Sequence, residues 1–151
     1  MVTPRYFDAC VDYKAPDWRD RLTAEAGDGL SVHFENVSVA MLTEAMTRLR
    51  EYGRVVLCGM ADHYHSDEAA PGVPAGLIIG KRAALKGLVV YDFYDRWDAF
   101  LAEAAPWVAE GRLRFAEDRR EGLESAPALM ERLMNGANVG KAVVTVSPEQ
   151  G

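Results

Sequence analysis

Arg54 to Gly59 reads RVVLCG, an unbroken apolar run that follows an amphipathic stripe of Met41, Leu42, Ala45, Met46 and Leu49. A strand apolar on both sides needs helices on both sides, which is the habit of parallel α/β sheets. The stripe repeats at helical spacing, with Ser38 as its N-cap and Gly53 where a C-terminal glycine belongs.

The remaining chain alternates in the same way. Phe7 to Tyr13 (FDACVDY) reads as a strand, and Asp17 caps a helix from Trp18 to Ala26 that the Gly27-Asp28-Gly29 turn ends. Leu30, Val32 and Phe34 alternate with Ser31, His33 and Glu35, the pattern of a half-buried strand with its apolar residues inward. Met60 to Gly76 is a long loop rich in Pro, Gly, His and Asp, and long loops in compact domains often carry function. An apolar segment, Leu77 to Leu85, leads to a strand at Gly87–Tyr91. Asp95 then caps a helix bearing Trp97, Phe100, Leu101, Trp107 and Val108, which Pro106 should kink and Gly111 should end. A short strand at Arg112–Phe115, a helix opened by Ser125 with Leu129, Met130, Leu133 and Met134, the stop at Gly136, and a strand at Lys141–Val146 complete the series. The fold class is α/β with a largely parallel sheet.

Composition narrows the function. At 151 residues, 49% hydrophobic and 26% charged, the chain can build a core. A net charge of −6 argues against a nucleic-acid binder, and no apolar run reaches the roughly 20 residues that span a bilayer. Met1 to Phe7 lacks the apolar centre of a signal peptide. Cys10 and Cys58 sit in apolar stretches; a single disulfide is one reading, and two buried thiols in a reducing cytoplasm is the plainer one. No structural zinc spacing is present; His63 and His65 stand two apart with no third ligand evident.

Four collinear segments, FDACVDYK (Phe7–Lys14), VHFENV (Val32–Val37), GRVVLCGMADHY (Gly53–Tyr64) and GANVGKAVVTV (Gly136–Val146), resemble the medium-chain dehydrogenase/reductase superfamily. More narrowly, they resemble its zinc-independent double-bond reductases, the leukotriene B4 dehydrogenase or prostaglandin reductase group. The resemblance implies a partial Rossmann-like domain over residues 1–111. It also implies a C-terminal strand–helix–strand over 112–151 that returns to the catalytic domain in complete members. The implied chemistry is hydride transfer from NADPH to an α,β-unsaturated carbonyl, with NADP(H) as cofactor and no metal.

The implied cofactor contacts are Tyr13 beside the 2′-phosphate with Lys14 next to it, Asn36, the loop Cys58, Gly59, Met60, Ala61 and Tyr64, the strand residues Leu88, Val89 and Val90, and Asn138. Tyr64 is the implied catalytic residue, its phenol reaching the nicotinamide ribose or the substrate carbonyl. Each has a plainer reading: strand-end packing for Tyr13, a solvated surface lysine for Lys14, helix entry for Asn36, an exposed loop aromatic for Tyr64, core for Leu88–Val90 and a turn for Asn138. The family's glycine pair after Asn36 is replaced by Ser38 and Val39, and its serine-x-tyrosine-asparagine by Asp62-His63-Tyr64-His65.

No G-x-G-x-x-G turn occurs in the sequence, and the family's 2′-phosphate lysine and front substrate domain would lie before Met1. On that frame Phe7–Tyr13 is an outermost strand and Leu30–Glu35 the fourth, with unpaired sheet edges that favour a homo-oligomer. The expectation is a truncated reductase, weak or inactive alone. The alternatives are a non-catalytic dimerisation or ligand-binding module, or an enzyme using Asp62, His63, Tyr64 and His65 for acid/base chemistry.

Overall fold

The computed structural model describes residues 7–64 and 71–147. The chain forms two compact units, Met1–Asp92 and Phe93–Gly151. In the first, α1 (Trp18–Ala26), β1 (Leu30–Glu35), α2 (Val39–Thr47), β2 (Leu49–Leu57), α3 (Ala75–Lys81) and β3 (Ala84–Gly87) follow one another. The three strands make one parallel sheet in the order β1-β2-β3. In the second unit, α4 (Trp97–Ala109), β4 (Glu117–Glu121), α5 (Ala126–Met134) and β5 (Lys141–Thr145) include a two-stranded parallel sheet, β4-β5. The alternation expected from the sequence is therefore present, as a partial Rossmann-like α/β fold.

The core of the first unit shows why α2 is where it is. Leu42, Met46, Leu49 and Val55 are fully buried together, with Leu30, Leu57, Leu77, Ile78 and Leu85 packed against them. Ser38 caps α2 as the sequence requires, its Oγ accepting the Met41 amide at 3.0 Å. Gly53, however, does not end that helix. Arg48 is the C-cap and β2 begins at Leu49. The β1–β2 register moves from Leu30↔Leu49 to Val32↔Arg54, and the extra residues of β2 include Tyr52 at φ 61. A Cβ on Gly53 would collide with the Leu49 side chain and approach the Arg50 carbonyl at 2.9 Å, so the glycine serves the irregular strand.

The inward face of β1 is opposite to the expected one. His33 and Glu35 pair with Val55 and Leu57, which face the core, while Val32 and Phe34 remain 48% and 53% exposed. Glu35 is 1% exposed. The helix α2 packs on this side, and the Val37 and Ser38 amides at its entrance bond the carboxylate, which outweighs the alternation of apolar residues. Among the three apolar residues only Leu30 joins the core.

Other expectations shift by a few residues or fail. Phe7–Tyr13 is bend and turn rather than strand, with Phe7 77% exposed; no strand among the described residues pairs with it, and a strand without a ladder leaves its backbone groups unmatched. The strand placed at Gly87–Tyr91 is β3, Ala84–Gly87. Arg82, left-handed at φ 48, closes α3 and turns the chain early, and pairing ends with Leu88 N–H on Leu57 O at 2.9 Å. Residues Val90–Arg96 are 3₁₀, so Asp95 lies inside that stretch and does not cap α4, which runs unbroken through Pro106. Arg112–Phe115 is not a strand; β4 comes later, at Glu117–Glu121, where buried Asp118 is held by Arg120 and Arg132 at 2.8 and 3.2 Å. On α5 only Leu129 is buried. Both cysteines are exposed free thiols, not buried ones.

Helix α1 is tied down by charge. Glu44 accepts Arg19 Nε at 2.6 Å and Arg48 Nη1 at 2.9 Å, and Arg48 also reaches Thr23 Oγ1 and the Arg19 carbonyl. These hydrogen bonds, Arg19 first and Arg48 second, hold the Glu44 carboxyl below its ordinary value of 4.5. A carboxyl more acidic in the folded state stabilises it at neutral pH, and that gain fades as pH falls below 4.5 and through the depressed value. Glu44→Gln is expected to cost about 1 kcal/mol at pH 7 and much less at acid pH, measured by urea unfolding at each pH. An equal loss at both would contradict the role.

Candidate functional site

Parallel sheets gather ligands at the carboxyl ends of their strands, because loops and helix N-termini converge there. In the first unit that end is built by the turn leaving β1 and the loop leaving β2. The Glu35 carbonyl accepts the amides of Cys58 and Gly59 at 2.9 and 3.2 Å. Asn36 O accepts Ala61 N at 3.1 Å, and Val37 O accepts Asp62 N at 3.0 Å. Four backbone bonds thus zip residues 58–62 onto residues 35–37. A 3₁₀ turn, Ala61–His63, follows and brings Tyr64 back over Gly59.

The result is a cluster of Asn36, Gly59 and Tyr64. A Cβ placed on Gly59 would lie 2.7 Å from the Tyr64 hydroxyl and 3.1 Å from Asn36 Oδ1. Only glycine leaves those two polar groups side by side above an open backbone. Tyr64 is 67% exposed and Asn36 is exposed as well, so the cluster lies at the surface. An amide that donates and accepts beside a phenol that does the same suits a ribose or carboxamide group. Leu88, beyond the end of β3, completes the row of strand ends, followed by Val89 and Val90 at 52% and 54% exposure.

Beneath the cluster lies a residue that the sequence reading placed on the outer face of β1. Glu35 Oε1 accepts the amides of Val37 and Ser38 at 2.5 and 3.0 Å, and Oε2 meets His33 Nε2 at 2.8 Å. A carboxylate two and three residues ahead of those amides, at the entrance of a helix, is the available signal for it. Ser38 and Val39, which stand where glycines were expected, are 7% and 6% exposed, Ser38 on the helix cap and Val39 in the core.

The other named residues lie elsewhere. Tyr13 and Lys14 sit in the turn before α1, where Lys14 N donates to Asp12 Oδ1 at 2.9 Å. Asn138 belongs to the second unit and closes a turn by donating from Nδ2 to Gly140 O at 2.7 Å. His65 is outside the described residues. Among the described residues no three His, Cys, Asp or Glu side chains converge as metal ligands would. A cleft of about 380 Å³, lined by Gly29, Arg48, Arg50 and Lys81 among others, occupies the opposite, amino end of β1 and β2.

Comparison with known proteins identifies the family of the chain. The family model described as zinc-binding dehydrogenase matches residues 7–144. The chain is 34% identical over 144 residues to a 2-alkenal reductase (NADP(+)-dependent) from Nicotiana tabacum and 37% identical over 145 residues to a (+)-pulegone reductase from Mentha piperita. Each alignment covers 95% of this chain and 42% of the relative. Among solved structures, CurA from Vibrio vulnificus in complex with NADPH superposes with a TM-score of 0.82 at 30% identity, covering 95% of this chain and 44% of that one. The chain therefore spans less than half the length of the relatives it matches.

Proposed function

This chain belongs to the zinc-binding dehydrogenase family, and from that premise we propose that it carries the nicotinamide-side cofactor site of an NADPH-dependent double-bond reductase. The observation behind the proposal is the Asn36–Gly59–Tyr64 cluster at the carboxyl ends of β1 and β2. The alkenal and pulegone reductases named above support NADPH as the cofactor and an α,β-unsaturated carbonyl as the substrate class.

When bound, NADPH supplies the hydride. The chain's own residues supply position and polarity. The Asn36 amide and the Gly59 backbone hold the ribose and nicotinamide side, with Cys58, Met60, Ala61, Leu88, Val89 and Val90 lining it. The Tyr64 hydroxyl donates a hydrogen bond to the ribose or to the substrate carbonyl, stabilising oxygen as enolate charge develops. Such polarisation needs no metal, in keeping with a zinc-independent member. Tyr13 and Asn138 are assigned cofactor contacts through the family resemblance alone. Among the described residues β1 and β3 are the outer strands of their sheet, which supports self-association, and two free thiols support a reducing cytoplasm.

Titration with NADPH, followed by quenching of Trp18, Trp97 and Trp107, tests the cofactor half. Saturation below about 100 μM, roughly −5.5 kcal/mol, is expected; no binding at millimolar NADPH would reject it. Oxidation of NADPH that depends on an added enone would assign the reductase activity to this chain. Binding without turnover would instead favour a ligand-binding module.

A further inference from the structure

We propose that Glu35 is a positioning residue for the cofactor site, acting through Asn36. The inference rests on the reading of Asn36 as a cofactor contact. Glu35 is 1% exposed and engages both carboxylate oxygens. Oε1 takes the Val37 and Ser38 amides, the two just ahead of α2, and Oε2 meets His33 Nε2. The backbone carbonyl of the same residue accepts Cys58 N and Gly59 N. One residue therefore ties together the turn that carries Asn36 and the loop that carries Gly59 and Tyr64.

Asn36 sits between these anchors with no other described bond from its side chain, so its amide can face a ligand only as accurately as its backbone is held. A buried carboxylate receiving two amides is a stiff anchor, because releasing it would strand charge and donors together. Glutamine retains the shape but lacks the charge and offers a single acceptor oxygen. Aspartate retains the charge but is one methylene short.

The test is a double-mutant cycle on NADPH affinity. Glu35→Gln in the wild-type background is expected to raise the NADPH Kd about tenfold. In the Asn36→Ala background the same change is expected to raise it less than about twofold, because the group that Glu35 positions is gone. Glu35→Asp should recover part of the affinity. Equal effects in both backgrounds, or no effect in the wild type, would overturn the proposal.

A second readout needs no cofactor. Amide exchange at Val37 and Ser38 is expected to accelerate at least about tenfold in Glu35→Gln, while exchange at core residue Val55 stays within about twofold. Unchanged exchange at Val37 and Ser38 would overturn the anchoring. If the wild type itself fails to bind NADPH, the proposed function fails, and the exchange result still decides whether Glu35 holds the turn.

Discussion

Leu42→Ala is expected to destabilise the first unit by about 2–5 kcal/mol. Leu42 is fully buried on α2, against Met46, Leu49 and Val55, and these four side chains are the buried centre of that unit. Removing three carbons there leaves a cavity whose lining comes from a helix and a strand with little freedom to close it. Since small domains are stable by only about 5–15 kcal/mol, such a loss moves the urea midpoint far, read by circular dichroism. The control is Val32→Ala on the exposed face of β1, where Val32 is 48% exposed; about 0.5 kcal/mol or less is expected. Equal losses at both positions would mean that the core is not where it is described.

The second large effect is functional. Gly59→Ala is expected to weaken NADPH binding about tenfold or more, a loss of about 1.4 kcal/mol or more, while changing stability by no more than about 0.5 kcal/mol. The added methyl would contact the Tyr64 hydroxyl and Asn36 Oδ1, which are tips of exposed side chains that can swing away. The fold tolerates that movement, but the juxtaposition that forms the site does not. Gly59 carries no left-handed backbone angle, so alanine adds no conformational strain. Unchanged affinity would show that Tyr64 and Asn36 do not act together on the cofactor.

Much of this architecture is legible in the sequence because local chemistry and tertiary packing agree. The helix Trp18–Ala26 falls at its expected bounds, since the Gly27-Asp28-Gly29 turn admits the positive φ angles of 51 and 107 at its two glycines. Ser38 caps α2 through its own hydroxyl. The loop that leaves β2 is placed by the apolar run that ends that strand.

The sequence misleads where a distant partner decides the outcome. Phe7–Tyr13 has strand composition, yet it has no neighbour among the described residues to pair with. Val32 and Phe34 have the spacing of a buried face, but α2 packs on the other one and takes Glu35 inward. Glu117–Glu121, EDRRE, has almost no strand composition. It pairs with β5 because Asp118 is neutralised by Arg120 and Arg132, a compensation that periodicity does not reveal. Gly53 reads as a helix stop because it follows an amphipathic stripe, whereas its real constraint is the Leu49 side chain of the same irregular strand.

The proposed cofactor site at the carboxyl ends of β1 and β2 can be mapped residue by residue. Amide chemical-shift mapping of the isotopically labelled chain during an NADPH titration tests it most directly. Saturable shifts are expected at Asn36, Cys58, Gly59, Met60, Ala61, Tyr64 and Leu88, with those around Gly29, Arg50 and Lys81 at the opposite end unmoved. Shifts confined to that opposite end, or none at millimolar NADPH, would contradict it.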